Sequence, residues 1–135
     1  MFSGITRNPT DILTSNIVRT LAKFICERCL RDFSERKGIF DCSHFITRAN
    51  KRTRWDFENL SALCRGCHDY FGKHPWEHTE FMKKKLGEGK LLALIVRSER
   101  KLNDLKIDEK LVRQGLKIEW KRMQAEEKSN VLGAR

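Results

Sequence analysis

The chain has 135 residues, enough for one domain with a helical appendage but too few for two independent hydrophobic cores. Lysine and arginine number 28 against 18 aspartates and glutamates, and the net charge of +10 favours a polyanionic partner such as nucleic acid. Hydrophobic residues make up 39% of the chain and never form a run approaching the roughly 20 residues of a membrane span. The composition therefore predicts a soluble protein and argues against a membrane protein.

The first half of the chain is predicted to contain one helix and one short strand. Asn8-Pro9-Thr10 is typical of a helix start, and the apolar residues that follow recur at helical spacing, which predicts a helix at about residues 11–23. Residues 39–46 alternate between apolar and polar side chains and predict a strand. Residues 47–53 are basic and polar, which predicts a loop.

The second half is predicted to be helical. Helices are expected from Arg65 to Gly72 and from His74-Pro75 to Leu86, and a buried helix is expected through residues 91–96. Beyond Ser98 a charge-rich segment carries one apolar stripe, which predicts a long amphipathic helix that packs on the body, on a second copy or on a partner. Disorder is expected from about Glu126. The stripe consists of Val112, Leu116, Trp120 and Met123.

Two cysteine pairs have the spacing of a zinc site. Cys26 and Cys29 form the first pair, and Cys64 and Cys67 form the second. A two-residue gap lets both sulfurs of a pair reach one ion, and four thiolates complete the coordination of a structural Zn²⁺. The alternative is two disulfides, which need an oxidising compartment. Because residues 1–7 contain no apolar signal segment, we expect a reduced, cytoplasmic protein without a signal peptide.

Two histidines and an asparagine within this arrangement suit phosphodiester hydrolysis. That reaction needs a base to activate water, a divalent ion to stabilise charge on the leaving oxygen, and cations to hold the backbone. His44 can be the base because an unperturbed imidazole is available in its neutral form at physiological pH. His68 can bind the ion, and Asn59 can hold His44 in the useful tautomer. Each residue also has a structural alternative: His44 as a core histidine, His68 as an exposed helix residue and Asn59 as a turn residue.

Other residues of the same types are interpreted as structural. Cys42 is expected to be a small packed residue, and both Trp55 and Trp76 are expected in the core. His74 and His78 are four residues apart but are not expected to form a ligand pair, since the proline after His74 sets a helix boundary there.

A concentration of basic residues near His44 predicts contacts with DNA phosphates, with ordinary solvated charges as the alternative. These residues are Arg48, Lys51, Arg52, Arg54 and Arg65.

The order His44, Asn59, His68 between two cysteine pairs resembles the HNH, or ββα-metal, nuclease family. Further motifs over roughly residues 11–97 are similar to those of phage NinG-like recombination endonucleases. The resemblance implies an α+β fold, with a small zinc-stabilised ββα-metal core, flanking helices and the long C-terminal amphipathic helix. The motifs are Asp11-Ile-Leu-Thr-Ser-Asn-Ile-Val-Arg19, Cys26-Glu-Arg-Cys29, Cys42-Ser-His-Phe45, Thr53-Arg-Trp-Asp-Phe-Glu-Asn-Leu60 and Cys64-Arg-Gly-Cys-His-Asp-Tyr70.

The resemblance also implies roles for individual residues. His44 would be the general base, Asn59 the positioning asparagine and His68 a ligand of a catalytic Mg²⁺ or Mn²⁺. Many family members place a further ligand just before the base, where this chain has Ser43. Asp41 lies on the same strand face as Ser43 and is the alternative oxygen donor. Products with 5′-phosphate and 3′-hydroxyl ends are expected.

These features together predict a metal-dependent DNA endonuclease that recognises DNA shape or branching. The resemblance to NinG-like proteins implies that the substrate is a recombination intermediate in a phage. We expect a nuclease domain over residues 1–97 and a basic helical extension over residues 98–135. One alternative is a non-catalytic zinc module that binds nucleic acid. Another is a protein that binds a partner, or a second copy of itself, through its C-terminal helix.

Overall fold

The computed structural model describes residues 7–99 and 106–133. Two 3₁₀ turns, Lys37–Ile39 and Phe57–Asn59, lead into the two strands. The mixture of one small sheet and several helices confirms the α+β prediction. The elements are α1 (Pro9–Leu21), β1 (Phe40–His44), β2 (Leu60–Cys64), α2 (Arg65–Lys73), α3 (Pro75–Leu86), α4 (Glu88–Ser98) and α5 (Glu109–Gly133).

The two strands form an antiparallel pair that carries the functional residues. Phe40 lies opposite Cys64 and His44 lies opposite Leu60. Every residue of β2 is buried, and α2 begins directly after it and packs against both strands. The chain therefore has the ββα order that the sequence predicts, with the residues of β1 close to those of α2.

Helix α1 begins at a complete capping box. The Asn8 side chain accepts a hydrogen bond from the Asp11 N–H at 2.9 Å, and the Asp11 carboxylate accepts one from the Asn8 N–H, also at 2.9 Å. These bonds satisfy donors that would otherwise lack partners at the helix start. The predicted helix is confirmed, and it begins and ends two residues earlier than the pattern indicated.

Two small clusters of apolar side chains make up most of the core. One lies beside the strand pair and includes Phe33, Phe40 and Phe71, and the other joins α3 and α4 through Met82 and Leu94. The prediction of a buried helix at residues 91–96 is only half right, since four of its six residues are exposed. A second correction concerns tryptophan, because Trp55 is buried as expected whereas Trp76 is 77% exposed on α3.

Helix α5 confirms the predicted amphipathic helix and packs along α1. Leu116 is the buried member of its apolar stripe. The helix continues to Gly133, so the expectation of disorder from about Glu126 is wrong for the described residues. Because α5 packs on a helix of the expected nuclease domain, the boundary between residues 97 and 98 stays a prediction. None of the helices in the described ranges combines the length and apolar character that crossing a bilayer requires.

Candidate active site and metal centre

The four predicted zinc ligands lie together. The sulfurs of Cys26, Cys29, Cys64 and Cys67 are all within 4.8 Å of one another. Each pair forms the same local turn, in which the second cysteine donates its backbone N–H to the first sulfur: Cys29 to Cys26 at 3.5 Å, and Cys67 to Cys64 at 3.4 Å. Cys64 is also the N-cap of α2, so the cluster fixes where that helix starts.

The donor set and its size fit tetrahedral zinc. A Zn–S distance of about 2.3 Å places the sulfurs of a tetrahedral site about 3.8 Å apart. The Cys29 and Cys64 sulfurs are 3.9 Å apart, which matches this spacing and is too long for a disulfide. All five cysteines are unpaired thiols, so the prediction of a cysteine site able to bind structural zinc is confirmed over the disulfide alternative.

Neighbouring donors favour the thiolate form of Cys26, whereas burial raises the pKa of Cys67 to about 12. Burial opposes ionisation of the Cys26 thiol, but backbone N–H groups, that of Cys29 first, outweigh it and lower the pKa of Cys26 to about 7. Arg28 donates to the Cys67 sulfur at 3.4 Å and lies 4.0 Å above the Tyr70 ring. A cation that donates to a ligand sulfur stabilises the charge of a metal-bound thiolate.

A cleft of about 400 Å³ opens on the side of β1 that carries His44. Its walls come from α1, the turn before β1, β1 itself, the loop after it and α2. Six basic residues and two carboxylates line it, so the cleft is electropositive even without a contribution from its two histidines. The charged and histidine side chains are Arg7, Arg19, Lys37, Arg48, Arg54, Arg65, Asp11, Asp41, His44 and His68.

Asp41 and His68 meet in this cleft. The His68 Nδ1 is 3.1 Å from the Asp41 Oδ2, and the other Asp41 oxygen accepts from Arg65 at 3.1 Å. Burial opposes ionisation of Asp41, but the bonds from His68 and Arg65 outweigh it and lower the pKa of Asp41 to about 2. If an ion displaced the proton between them, this carboxylate oxygen and imidazole nitrogen would already have the spacing of about 3 Å that neighbouring ligands of an octahedral Mg²⁺ or Mn²⁺ adopt.

Ser43 does not occupy the ligand position that the family resemblance suggested. It is 1% exposed, and its hydroxyl has no hydrogen-bond partner among the described residues. It lies opposite Ser61 on β2 and is absent from the walls of the cleft. This burial argues against Ser43 as a ligand of a catalytic ion, and it leaves Asp41 as the oxygen donor beside His68.

His44 is held in a single tautomer. Its Nε2 is 3.0 Å from the Arg54 carbonyl oxygen. A carbonyl can only accept, so Nε2 carries the proton and Nδ1 keeps its lone pair. Burial lowers the pKa of His44 to about 4, and the nearby charge of Arg48 adds to this effect. The imidazole is therefore neutral at physiological pH and has one nitrogen able to accept a proton.

Asn59 acts on the loop and does not touch the imidazole. The fully buried side chain accepts from the Ile46 N–H at 2.7 Å and donates to the carbonyls of Ile46 and Thr53 at 2.9 and 3.1 Å. It therefore ties both ends of the loop that follows β1. Of the two expected partners of Asn59, the backbone and the imidazole, the structure shows the backbone; the Arg54 carbonyl holds the tautomer, and Asn59 fixes the residue before it.

The five predicted DNA-binding residues separate into groups. Arg48 and Arg65 line the cleft, whereas Lys51 and Arg52 line a different hollow beside Trp55 and Arg97. Arg54 is 6% exposed and forms a two-pronged ion pair with Asp11, at 2.9 and 2.6 Å. A buried guanidinium that is already neutralised is not available for phosphate, so Arg54 is corrected from a DNA contact to a structural residue.

The cleft also contains residues that sequence reasoning missed. Asp11, Ser15 and Arg19 follow one another at four-residue intervals on α1 and all reach the cleft. This spacing places side chains on one helix face, so a polar stripe was readable in the sequence. Lys37 carried no such signal, because its position depends on the 3₁₀ turn before β1.

The remaining histidines and the fifth cysteine are not arranged as a further metal site. His78 is buried and stacks on Phe71 with the ring centroids 4.6 Å apart, and His74 stacks on Tyr70 at 4.0 Å. The Cys42 thiol lines the cleft, and loss of hydration raises its pKa to about 12, so it is a poor nucleophile.

A family comparison covers the part of the chain that holds both sites. Residues 26–73 match the family model described as HNH endonuclease. No curated protein and no solved structure matches the chain. The matched segment contains both cysteine pairs, His44, Asn59 and His68, and it supports a DNA-cleaving function of the nuclease type. Residues 26–73 are therefore a segment similar to HNH endonucleases.

Proposed function

We propose that the chain is an HNH-type DNA endonuclease that depends on a divalent metal ion. The observation that carries the proposal is one electropositive cleft that contains a neutral histidine of fixed tautomer and a paired carboxylate and imidazole. A base, an ion site and phosphate-binding cations are the three requirements of phosphodiester hydrolysis. The residues proposed for these three roles line one cleft of about 400 Å³, which supports the proposal.

His44 is the general base in this proposal. The Arg54 carbonyl holds the Nε2 proton, so Nδ1 accepts a proton from water while the water oxygen attacks phosphorus. The bond between phosphorus and the 3′ oxygen breaks, and that oxygen takes a proton from solvent. The products carry 5′-phosphate and 3′-hydroxyl ends, as in the family the sequence resembles.

Asp41 and His68 would hold the divalent ion. When bound, Mg²⁺ or Mn²⁺ would stabilise the negative charge that develops on the phosphate and on the leaving oxygen. Arg65 holds Asp41 in place and keeps its carboxylate ionised. The cysteine cluster takes no part in the reaction and fixes the start of α2, which carries His68.

The basic walls of the cleft would hold the DNA backbone. Arg48, Arg65, Arg19 and Lys37 come from four separate segments around His44. Lys and Arg contacts to phosphate bind without reading sequence, so we expect recognition of DNA shape. The resemblance to NinG-like proteins extends the proposal to branched or recombination-intermediate DNA in a phage.

A cleavage assay with a matched pair of histidine variants tests the proposal. Purified protein is incubated with plasmid, single-stranded and four-way-junction DNA, each with Mg²⁺, Mn²⁺ or EDTA. Cleavage is expected with either ion and is expected to disappear with EDTA. The His68→Ala variant should lose divalent-dependent cleavage while it keeps its zinc and its affinity for DNA.

The control is His74→Ala, which removes an exposed histidine outside the cleft and should cut like the wild type. Two results would contradict the proposal. Normal cutting by His68→Ala would exclude His68 as a ligand of the catalytic ion. DNA binding without any cutting by the wild type would favour a non-catalytic zinc module.

A further inference from the structure

We propose that Asp11, on the helix before the HNH domain, is a positioning residue for the catalytic base. The inference rests on the proposed function, because it assigns a role in aligning His44. Asp11 lies outside the segment 26–73 that matches the family model. It reaches the His44 site through Arg54 and Trp55, which are 43 and 44 residues away in the chain.

The Asp11 carboxylate holds two consecutive side chains of the loop after β1. Its Oδ1 accepts from the Arg54 Nε at 2.9 Å and from the Trp55 indole N–H at 3.0 Å, and its Oδ2 accepts from an Arg54 terminal nitrogen at 2.6 Å. All three residues are buried. Charge-assisted bonds of this two-pronged kind restrict geometry more than single bonds do.

The peptide group between these two side chains is the one that orients the base. The Arg54 carbonyl belongs to the peptide bond that joins Arg54 to Trp55, and its oxygen accepts the His44 Nε2 proton. Since both flanking side chains are tied to one carboxylate, the direction of this carbonyl depends on Asp11. Loss of Asp11 would let the peptide turn and would release the His44 tautomer.

Asp11 is itself held on the side away from the loop. Its Oδ2 also accepts the Asn8 N–H at 2.9 Å, and the Asn8 side chain donates to Glu109 of α5 at 2.6 Å. Arg113 of α5 donates to the Thr10 hydroxyl at 2.9 Å. The Asp11 carboxylate accepts four hydrogen bonds, which is its usual capacity. An amide has only one accepting oxygen and therefore cannot replace it.

The test combines kinetics with a direct observation of the His44 ring in the full-length, zinc-loaded protein. Asp11→Asn should lower the single-turnover cleavage rate about 10- to 100-fold, as the loss of a residue that orients a catalytic group does. The DNA concentration for half-maximal rate should change less than threefold. The ¹⁵N spectrum of His44 should show the Nε2–H tautomer in the wild type and a mixture in Asp11→Asn.

The control is Asp56→Asn. Asp56 lies in the same loop but outside the cleft, and its carboxylate forms an ion pair with Arg97 of α4. This variant should leave both the cleavage rate and the His44 spectrum unchanged. If Asp11→Asn does not fold, the double variant Asp11→Leu, Arg54→Met replaces the buried ion pair with apolar side chains of similar size. It should fold and show the same slow cleavage and mixed tautomer.

An unchanged His44 tautomer in a folded Asp11 variant would overturn the inference. So would an unchanged cleavage rate. Failure of the proposed function looks different, since the wild type itself would not cut, and the ¹⁵N spectra would still show whether Asp11 orients His44.

Discussion

The cysteine cluster and the candidate catalytic cleft both use residues of α2, yet they are built in different ways. The cluster consists of two local turns, each with its own N–H to sulfur bond between residues three apart. The cleft collects side chains from α1, β1, two loops and α2, and one of its ion pairs joins residues 43 apart in the chain. The cysteine cluster therefore depends on two short motifs, whereas the candidate active site depends on the packing of the whole domain.

Loss of a zinc ligand should have the largest effect, because it should disturb both the cysteine cluster and the cleft. In Cys67→Ser the cluster loses one thiolate, and structural zinc contributes about 10–16 kcal/mol of apparent binding free energy in small domains. We expect loss of zinc, of the circular-dichroism signal of the fold and of cleavage together. Cys42→Ser is the control, because this thiol lies outside the cluster and its variant should keep one zinc. A Cys67→Ser protein with wild-type melting behaviour would contradict the assignment.

A substitution in the cleft should affect only the divalent ion needed for cleavage and should leave the structural zinc in place. Asp41→Asn removes the ionised oxygen beside His68 and should raise the Mg²⁺ concentration for half-maximal cleavage about 10- to 100-fold. Zinc content and melting temperature should stay close to those of the wild type. Asp32→Asn removes an exposed carboxylate far from the cleft and is the control. An unaltered Mg²⁺ requirement in Asp41→Asn would exclude Asp41 from the ion site.

Acid should destabilise the fold through His44, which is half-buried, and His78, which is buried. The pKa values of His44 and His78 are both lowered from 6.5 to about 4, chiefly by burial. The unfolded chain therefore binds more protons below pH 6.5, and folding stability falls as the pH drops toward 4. Linkage gives about 1.5 kcal/mol per histidine between pH 6.5 and 5.

His78→Phe isolates one of these contributions. The Phe ring keeps the stacking on Phe71 and has no proton to gain. Denaturant unfolding at several pH values, with zinc in excess, should show a smaller loss of stability on acidification than in the wild type. Equal slopes for the two proteins would show that His78 is not neutral in the folded state.

The smallest expected effect concerns the contact between α5 and α1. Arg113→Ala removes the bond to Thr10 and should cost about 1 kcal/mol of folding free energy. Arg122→Ala is the matched control on the same helix, because this exposed arginine pairs only within α5 among the described residues. It should leave the folding free energy almost unchanged, because exposed ion pairs contribute little. Equal thermal shifts for the two variants would mean that α5 does not stabilise α1 through Arg113.

The elements and the cluster could be predicted because their signals are local. The capping box of α1, the alternation in β1 and the two-residue cysteine spacing all act within one turn or strand. The site was predicted only as a set of residue types. Sequence could not show that Ser43 is buried while Asp41 lines the cleft, since alternation places both polar residues on the same strand face.

Long-range contacts account for the other errors. Arg54 looks like a phosphate contact until α1 places Asp11 against it. Asn59 looks like a partner of the base until the loop closes around its amide. In both cases the side chain helps to fix a backbone carbonyl of the loop, that of Arg54 or of Thr53. Neither charge nor spacing in the sequence indicates these contacts.

The measurement that tests the central claim most directly is the single-turnover cleavage rate of His44→Ala. Wild type and variant are compared at saturating Mg²⁺, with equal zinc content and equal DNA occupancy. Loss of a general base should slow cleavage about 10²- to 10⁴-fold while leaving the fold and DNA binding intact. A His44→Ala protein that cuts at the wild-type rate would show that the base lies elsewhere, and the account of this cleft would be wrong.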